Sequence, residues 1–202
     1  MVDIMCTGNP PRKTIDLRVT EGTDVKMIGE QLVQLGVLES PEEFYELCKT
    51  GEAFMDFTFI AAIEDDPSEA RKYKLEGYLF PDTYEFYVGH NAEDALDRLI
   101  RNFVSRMDED RMTQVEESSY SLQEIITIAS LIEEETDGTD QANIASVIYN
   151  RLEGSGNKQG TYGLLQIDAS LLYALPDHTG PITSADMQTD SPYNLYLSLI
   201  HI

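Results

Sequence analysis

The chain is short of positive charge: 14 Lys and Arg stand against 37 Asp and Glu, for a formal net charge of −23 over 202 residues. No basic cluster exists to neutralise a phosphate backbone, which argues against nucleic acid as a partner. Cysteine is scarce. Cys6 and Cys48 are too few for a disulfide scaffold and are expected to stay unpaired. No apolar run reaches the ~18 residues that a membrane span needs, and the opening "MVDIMCTGNPPRK" lacks the continuous apolar core of a signal peptide. The three histidines, His90, His178 and His201, are isolated and without ligand spacing, so neither a metal nor a cofactor is expected. Phosphate-binding loops, dinucleotide fingerprints and nucleophile elbows are missing too. Hydride transfer, phosphoryl transfer and triad hydrolysis therefore lack support. Carboxylate acid–base chemistry is what the residues offer.

The pattern predicts an α+β fold. "TIDLRV" alternates Ile15, Leu17 and Val19 as a strand does, and Glu21-Gly22-Thr23 turns the chain. Val25, Ile28, Leu32 and Leu35 mark an amphipathic helix closed by Gly36. Ser40-Pro41-Glu42-Glu43 opens a second helix, and "FMDFTFIAAI" reads as a strand. Residues 14–63 are thus expected to form a small α/β module. A charged connector, "EDDPSEARKYK", leads to a mainly helical region from about residue 75. There Asn91 caps a helix whose Ala92, Ala95, Leu96, Leu99, Ile100, Phe103 and Met107 share a face. A later helix over about Asp140 to Leu152 is expected to bury Ala145, Ile148, Tyr149 and Leu152.

Two stretches carry the chemistry. In "LQEIITIASLIEEETDG", Ser121 and Glu124 form a capping-box pattern, so a helix starts there. At 100° per residue Leu122, Ile125, Ile126, Ala129 and Ile132 share a face, and Glu133 falls on it, while Glu134 projects to the far side. A carboxyl in apolar surroundings resists ionisation, as a general acid requires. The alternative is a fraying helix end with all three glutamates solvated. In "LEGYLFPDTYEFY", five aromatics alternate with Glu76, Asp82 and Glu85 around Pro81. Such a mixture suits sugar recognition, by ring stacking and by hydrogen bonds to hydroxyls. It suits equally a turn stitched into the core, with Asp82 bonded to its own backbone.

Taken in order, "LEGYLFPDTYEF", "IASLIEEET", "ASVIYNRLE", "LLQIDASLLYAL" and "SPYNLY" resemble the endolytic murein transglycosylase (YceG-like) family, over Thr14 to Tyr196. The resemblance implies a LysM-like subdomain at 14–63, where "VTEGT" (Val19 to Thr23) matches its entry, and a lytic transglycosylase catalytic domain at 75–196. It implies that Glu133 is the catalytic acid and that Glu135 supports it. The protonated Glu133 would donate to the glycosidic oxygen between N-acetylmuramic acid and N-acetylglucosamine. It would then take the proton of the muramoyl C6 hydroxyl as a 1,6-anhydro ring closes. A second carboxylate, as in ordinary glycosidases, is not required. Glu76, Tyr78, Asp82, Tyr84, Asn150, Gln166, Tyr193 and Asn194 would line the glycan site. Peptidoglycan strands are then the substrate and cell-wall synthases (penicillin-binding proteins) the partners. The place of action would be the outer face of a bacterial cytoplasmic membrane, reached through a single-pass anchor that this chain lacks. A muramidase hydrolysing the same bond and a non-catalytic wall-binding module are the alternatives. The family continues beyond its "YNTY" block, whereas here "SPYNLY" runs into "LSLIHI", residues 197–202. The chain is therefore expected to be a fragment whose catalytic domain is incomplete and whose activity alone is not assured.

Overall fold

The structure is a computed structural model describing residues 12–63, 71–136, 138–154 and 163–197. Cys6, His201 and residues 198–202 of the expected tail lie outside them. The described residues form an α+β arrangement dominated by helices, and their contacts divide the chain into two compact units. Unit 1 comprises residues 1–64 and 71–114; unit 2 comprises 65–70 and 115–202.

Unit 1 is organised by a two-stranded antiparallel sheet. Strand β1 (Thr14–Arg18) pairs with β2 (Thr83–Tyr87), Leu17 lying opposite Tyr84 and Ile15 opposite Phe86. Alternation turns Leu17, Tyr84 and Phe86 inward and leaves Thr14, Asp16, Thr83, Glu85 and Tyr87 outside. Helix α1 (Val25–Gln34) begins at Asp24, whose side chain accepts from the Met27 N–H, and buries Val25, Ile28 and Leu32. Beyond it Gly36 adopts φ 71, the left-handed conformation that ends helices without a Cβ penalty. Helix α2 (Glu42–Thr50) buries Phe44 and Cys48 and stops at Gly51, φ 65. Helix α4 (Ala92–Arg106), capped by Asn91 as its sequence predicts, completes the core with Ala92, Ala95, Leu96, Leu99, Ile100 and Phe103.

The strand expected in 54–63 is absent. Glu52–Phe54 is a 3-10 turn, and Thr58–Ala61 is one helical turn, α3, that buries Ile60. The two turns put Phe54 and Ile60 into the unit 1 core without strand pairing. By its contacts the first compact unit takes in the β1–β2 pairing and runs to residue 114. The order is β-α-α with its closing strand at 83–87, not within 54–63.

Unit 2 is helical. Its elements are α6 (Leu122–Glu134), α7 (Gln141–Leu152) and α8 (Asp168–Ala174), and a 3-10 turn at Asp186–Gln188 follows. Helix α5 (Glu109–Glu117) carries the boundary and buries nothing. Ile128, Leu131, Ile148, Leu165, Ile167 and Leu195 make one buried cluster. In α7 it is Ile148 that is buried, with Ala145, Tyr149 and Leu152 half-buried.

Candidate active site

The three glutamates at the end of α6 are not equivalent. The capping box forms as written: the Glu124 carboxylate accepts from the Ser121 N–H at 2.7 Å, and the Ser121 hydroxyl oxygen accepts from the Glu124 N–H. From there the helix buries Ile128 and Leu131, while Ala129 is exposed. The buried face is thus turned from the predicted one. Glu133 is half-buried, and Glu134 and Glu135 are exposed. Ile132, next to Glu133, packs against the unit 2 cluster. Among the described residues no hydrogen bond or ion pair engages the Glu133 carboxyl. Glu135 closes the helix, its N–H donating to the Ile132 carbonyl at 3.2 Å.

The segment around Gln166 is held from several sides. Gln166 has φ 54, the one positive φ outside glycine among the described residues. A side chain in this region is strained and persists where the surroundings over-determine it. Here Leu165 and Ile167 are buried on either side, and the Gln166 N–H donates to the Leu195 carbonyl at 3.0 Å. The Arg151 guanidinium donates to the Leu165 carbonyl. The Gln166 side chain itself is exposed. Two residues on, the Asp168 carboxylate accepts from the Tyr196 hydroxyl. Burial, that hydrogen bond and the charges of Asp168 and Glu135 push the Tyr196 phenol up to about 12, against the opposing Arg151 charge. The end of α6 and the Gln166 turn therefore meet electrostatically at Tyr196.

Asn150 is exposed on α7, its amide donating to the Ser146 hydroxyl at 3.4 Å. Tyr193 is half-buried and sets its ring edge-on to Tyr173, 5.1 Å between centroids. Asn194 is fully buried, and its amide donates to the Met187 and Thr189 carbonyls at 3.0 and 2.8 Å. Its Oδ1 accepts from the Tyr196 N–H at 3.0 Å. Every polar atom of the side chain is spent on the loop that carries Tyr196.

The four sugar-binding candidates of the 76–84 stretch belong to unit 1 and serve its own structure there. Glu76 accepts from the Val25 N–H at 3.0 Å, satisfying a donor at the start of α1. Tyr78 is buried between Phe59 and Phe103, with centroids 5.4 and 5.2 Å away, and burial pushes its phenol up to about 12. Tyr84 is buried, donates to the Phe80 carbonyl and accepts from the Asn102 amide at 2.9 Å. Asp82 accepts from its neighbour Thr83 N–H at 2.8 Å, from Asn102 at 3.1 Å and from Arg106 at 2.8 Å. Those bonds hold its carboxyl below the usual carboxylate range. The alternation of "TYEFY" is that of a half-buried strand, and the stitched-turn alternative describes Asp82. A depression of about 440 Å³ in unit 1 lies elsewhere, lined in part by Asp56, Glu93, Asp94, Asp97 and Arg101. Among the described residues no three His, Cys, Asp or Glu side chains converge as a metal site would need, and no helix is long and apolar enough to cross a membrane.

The sequence model of the YceG-like family matches residues 1–198. The chain belongs to the YceG-like family. A Bacillus subtilis protein named endolytic murein transglycosylase is 32% identical over 181 residues, 83% of this chain and 48% of its own length. A Streptococcus pneumoniae protein of the same name is 29% identical over 195 residues, 89% of this chain and 34% of its own. This YceG-like chain thus spans about half or less of the relatives it matches. The crystal structure of a yceG-like protein from Listeria monocytogenes superposes with a TM-score of 0.76 at 27% identity, covering 98% of this chain and 64% of that one.

Sequence reasoning passed over Tyr196, and weighed Asn150-Arg151 as a helix end satisfying nearby carbonyls against a part in the glycan site. A compositional signal also marks Arg151: from residue 115 onward the YceG-like chain has two Lys or Arg, Arg151 and Lys158. A charge so rare in so acidic a segment has a local use.

Proposed function

We propose that this chain carries the glycan-cleaving chemistry of an endolytic peptidoglycan lytic transglycosylase. Glu133 is the acid, cleaving the β-1,4 bond between N-acetylmuramic acid and N-acetylglucosamine. The observation that carries the reading is the half-buried Glu133 carboxyl at the end of α6, which no hydrogen bond or ion pair among the described residues engages, in a chain whose relatives bear the transglycosylase name. Protonated Glu133 gives its proton to the leaving oxygen as the bond to C1 breaks. The muramoyl C6 oxygen closes on C1 and returns its proton to the carboxylate, so the acid is regenerated and no water is consumed. Glu135 and Tyr196 shape the surroundings, and exposed Gln166 offers donors and acceptors to acetamido and hydroxyl groups. Unit 1 is read as a LysM-like wall-binding part, on its β-α-α-β order. The protein would act at the outer face of the cytoplasmic membrane, beside the synthases whose nascent strands it trims.

The test is Glu133→Gln, which keeps the shape and removes the titrating proton, with Glu134→Gln as control on the exposed side. Mass spectrometry of digested sacculi should show anhydro-muramic ends from the wild type and from Glu134→Gln. Glu133→Gln should lose about 10²–10⁴-fold in rate while still binding glycan. Reducing ends instead of anhydro ends would identify a muramidase. Binding without cleavage by the wild type would identify a wall-binding module. Equal losses in both variants would remove Glu133 from the mechanism.

A further inference from the structure

Arg151 is the one Lys or Arg among the described residues of unit 2. Carboxylates surround it in the chain, and Glu135 and Asp168 act with it on the same phenol, Tyr196. Its hydrogen bond nevertheless goes to a neutral acceptor, the Leu165 carbonyl. The geometric consequence lies in which carbonyl this is. Leu165 C=O and Gln166 N–H belong to one planar peptide unit. Arg151 grips its oxygen, and the Leu195 carbonyl grips its N–H at 3.0 Å. With both ends of the plane fixed on one side of the Gln166 Cα and buried Ile167 anchoring the chain on the other, the torsion between them, the φ of Gln166, is set. That is the φ found at 54. A charge-assisted bond suits the task, being shorter and stronger than one between neutral groups. The Gln166 side chain is exposed, so the left-handed backbone aims it outward and nothing in its own packing accounts for the strain.

We propose that Arg151 is a positioning residue for glycan recognition: by clamping the Leu165–Gln166 peptide it keeps Gln166 left-handed and presents the Gln166 amide in one orientation to the acetamido and hydroxyl groups of the substrate. The inference rests on the glycan-cleaving reading above and names how that site orients its ligand. Arg151 touches no substrate in this scheme; it acts through Gln166.

The test compares Arg151→Gln, Arg151→Lys, Gln166→Ala and the double variant Arg151→Gln/Gln166→Ala in the full chain. Two readouts are taken: NMR of the Gln166 backbone, and binding and cleavage of soluble peptidoglycan oligomers. Arg151→Gln should move the Gln166 backbone shifts and N–H to Hα coupling away from left-handed values. The signals of Ile128 and Leu171, in the packed interior, should stay in place. KM should rise roughly three- to tenfold, the loss of one hydrogen bond of ordinary net strength, with kcat changing less. Arg151→Lys, which keeps the charge and a donor but not the planar fork, should fall between. The double variant should be no worse than Gln166→Ala alone, because the two residues act in series. Additive losses would overturn the proposal, as would weaker binding while the Gln166 signals stay at their wild-type positions. If Arg151→Gln unfolds unit 2, Arg151→Lys with the same readouts decides by the same criteria. The NMR arm needs no glycan. Should Gln166 move as expected while no oligomer is bound or cut by any form, the failure belongs to the glycan reading and the clamp stands.

Discussion

Replacing Asn194 by alanine should unfold unit 2 more readily rather than blunt a binding site. The side chain is fully buried, so water does not stand ready to replace what it gives. Its removal strands the Met187 and Thr189 carbonyls and the Tyr196 N–H, which it meets at 3.0, 2.8 and 3.0 Å. At about 1 kcal/mol net for each bond the loss is about 3 kcal/mol. Whole domains are stable by only ~5–15 kcal/mol, and the buried cluster of this unit is small. A urea titration followed by far-ultraviolet circular dichroism should show the midpoint of the unit 2 transition falling by roughly 1–3 M, given usual slopes of ~1–3 kcal/mol per molar. Asn194→Asp keeps the acceptor, loses both donors and buries a charge, so it should fall at least as far. An Asn194→Ala chain that unfolds at the wild-type urea concentration yet loses glycan affinity would show Asn194 to be a ligand, and would refute the assignment made from its hydrogen bonds.

Two further expectations concern unit 1. The Asp82 carboxyl is held below its ordinary pKa by the Thr83 N–H, Asn102 and Arg106. Its contribution is therefore full above the ordinary value of ~3.9 and is lost as pH falls below that value through the lowered one. Thermal melts from pH 5 to pH 3 should converge for wild type and Asp82→Asn at the acid end, and a constant gap at all pH values would contradict the assignment. The Tyr78 hydroxyl is buried and has no hydrogen-bond partner among the described residues. Tyr78→Phe should then stabilise the unit by about 1 kcal/mol, since it removes an unsatisfied polar group and keeps the ring; a loss of stability in the same melt would mean the hydroxyl is engaged.

How much of this was legible depended on whether a local rule had a rival. Caps are local: Ser121 with Glu124, Asn91 and Gly36 were read from the chain and stand in the structure. The buried side of α6 was not, because Ile125, Ile126, Ile128, Leu131 and Ile132 place apolar groups around most of the helix. Periodicity then cannot choose, and packing chose Ile128 and Leu131. Glu133 kept its distinction from Glu134 even so. The 76–87 stretch admitted two readings for a different reason. Its acids and rings have the residue types of a sugar site, but period-two alternation at Tyr84 and Phe86 is the stronger physical constraint, since it decides which rings leave water. In 54–63 the apolar density was real, with Phe54, Ile60 and Ile63 all buried. What sequence could not supply was that Phe54 and Ile60 reach the core from two short helical turns rather than from a strand. Asn194 entered through the family resemblance, as a residue lining the glycan site. Only coordinates reveal that its three polar contacts are internal.

The pairing of β1 with β2 has a consequence for how the chain is made. On the ribosome the first strand emerges before all the helices of its unit, yet its partner leaves the tunnel only after α1, α2 and the polar connector. Until then Leu17 and Val19 lack Tyr84 and Phe86, and α1 and α2 lack the face of α4 that completes their shared core. Ends that far apart in sequence meet slowly, because the entropy of a long loop must be given up before any contact rewards it. Nascent chains of this protein should therefore remain open to proteases and chaperones until the region of α4 has been synthesised, and a piece cut at residue 63 would be left without the strand and helix that complete its core.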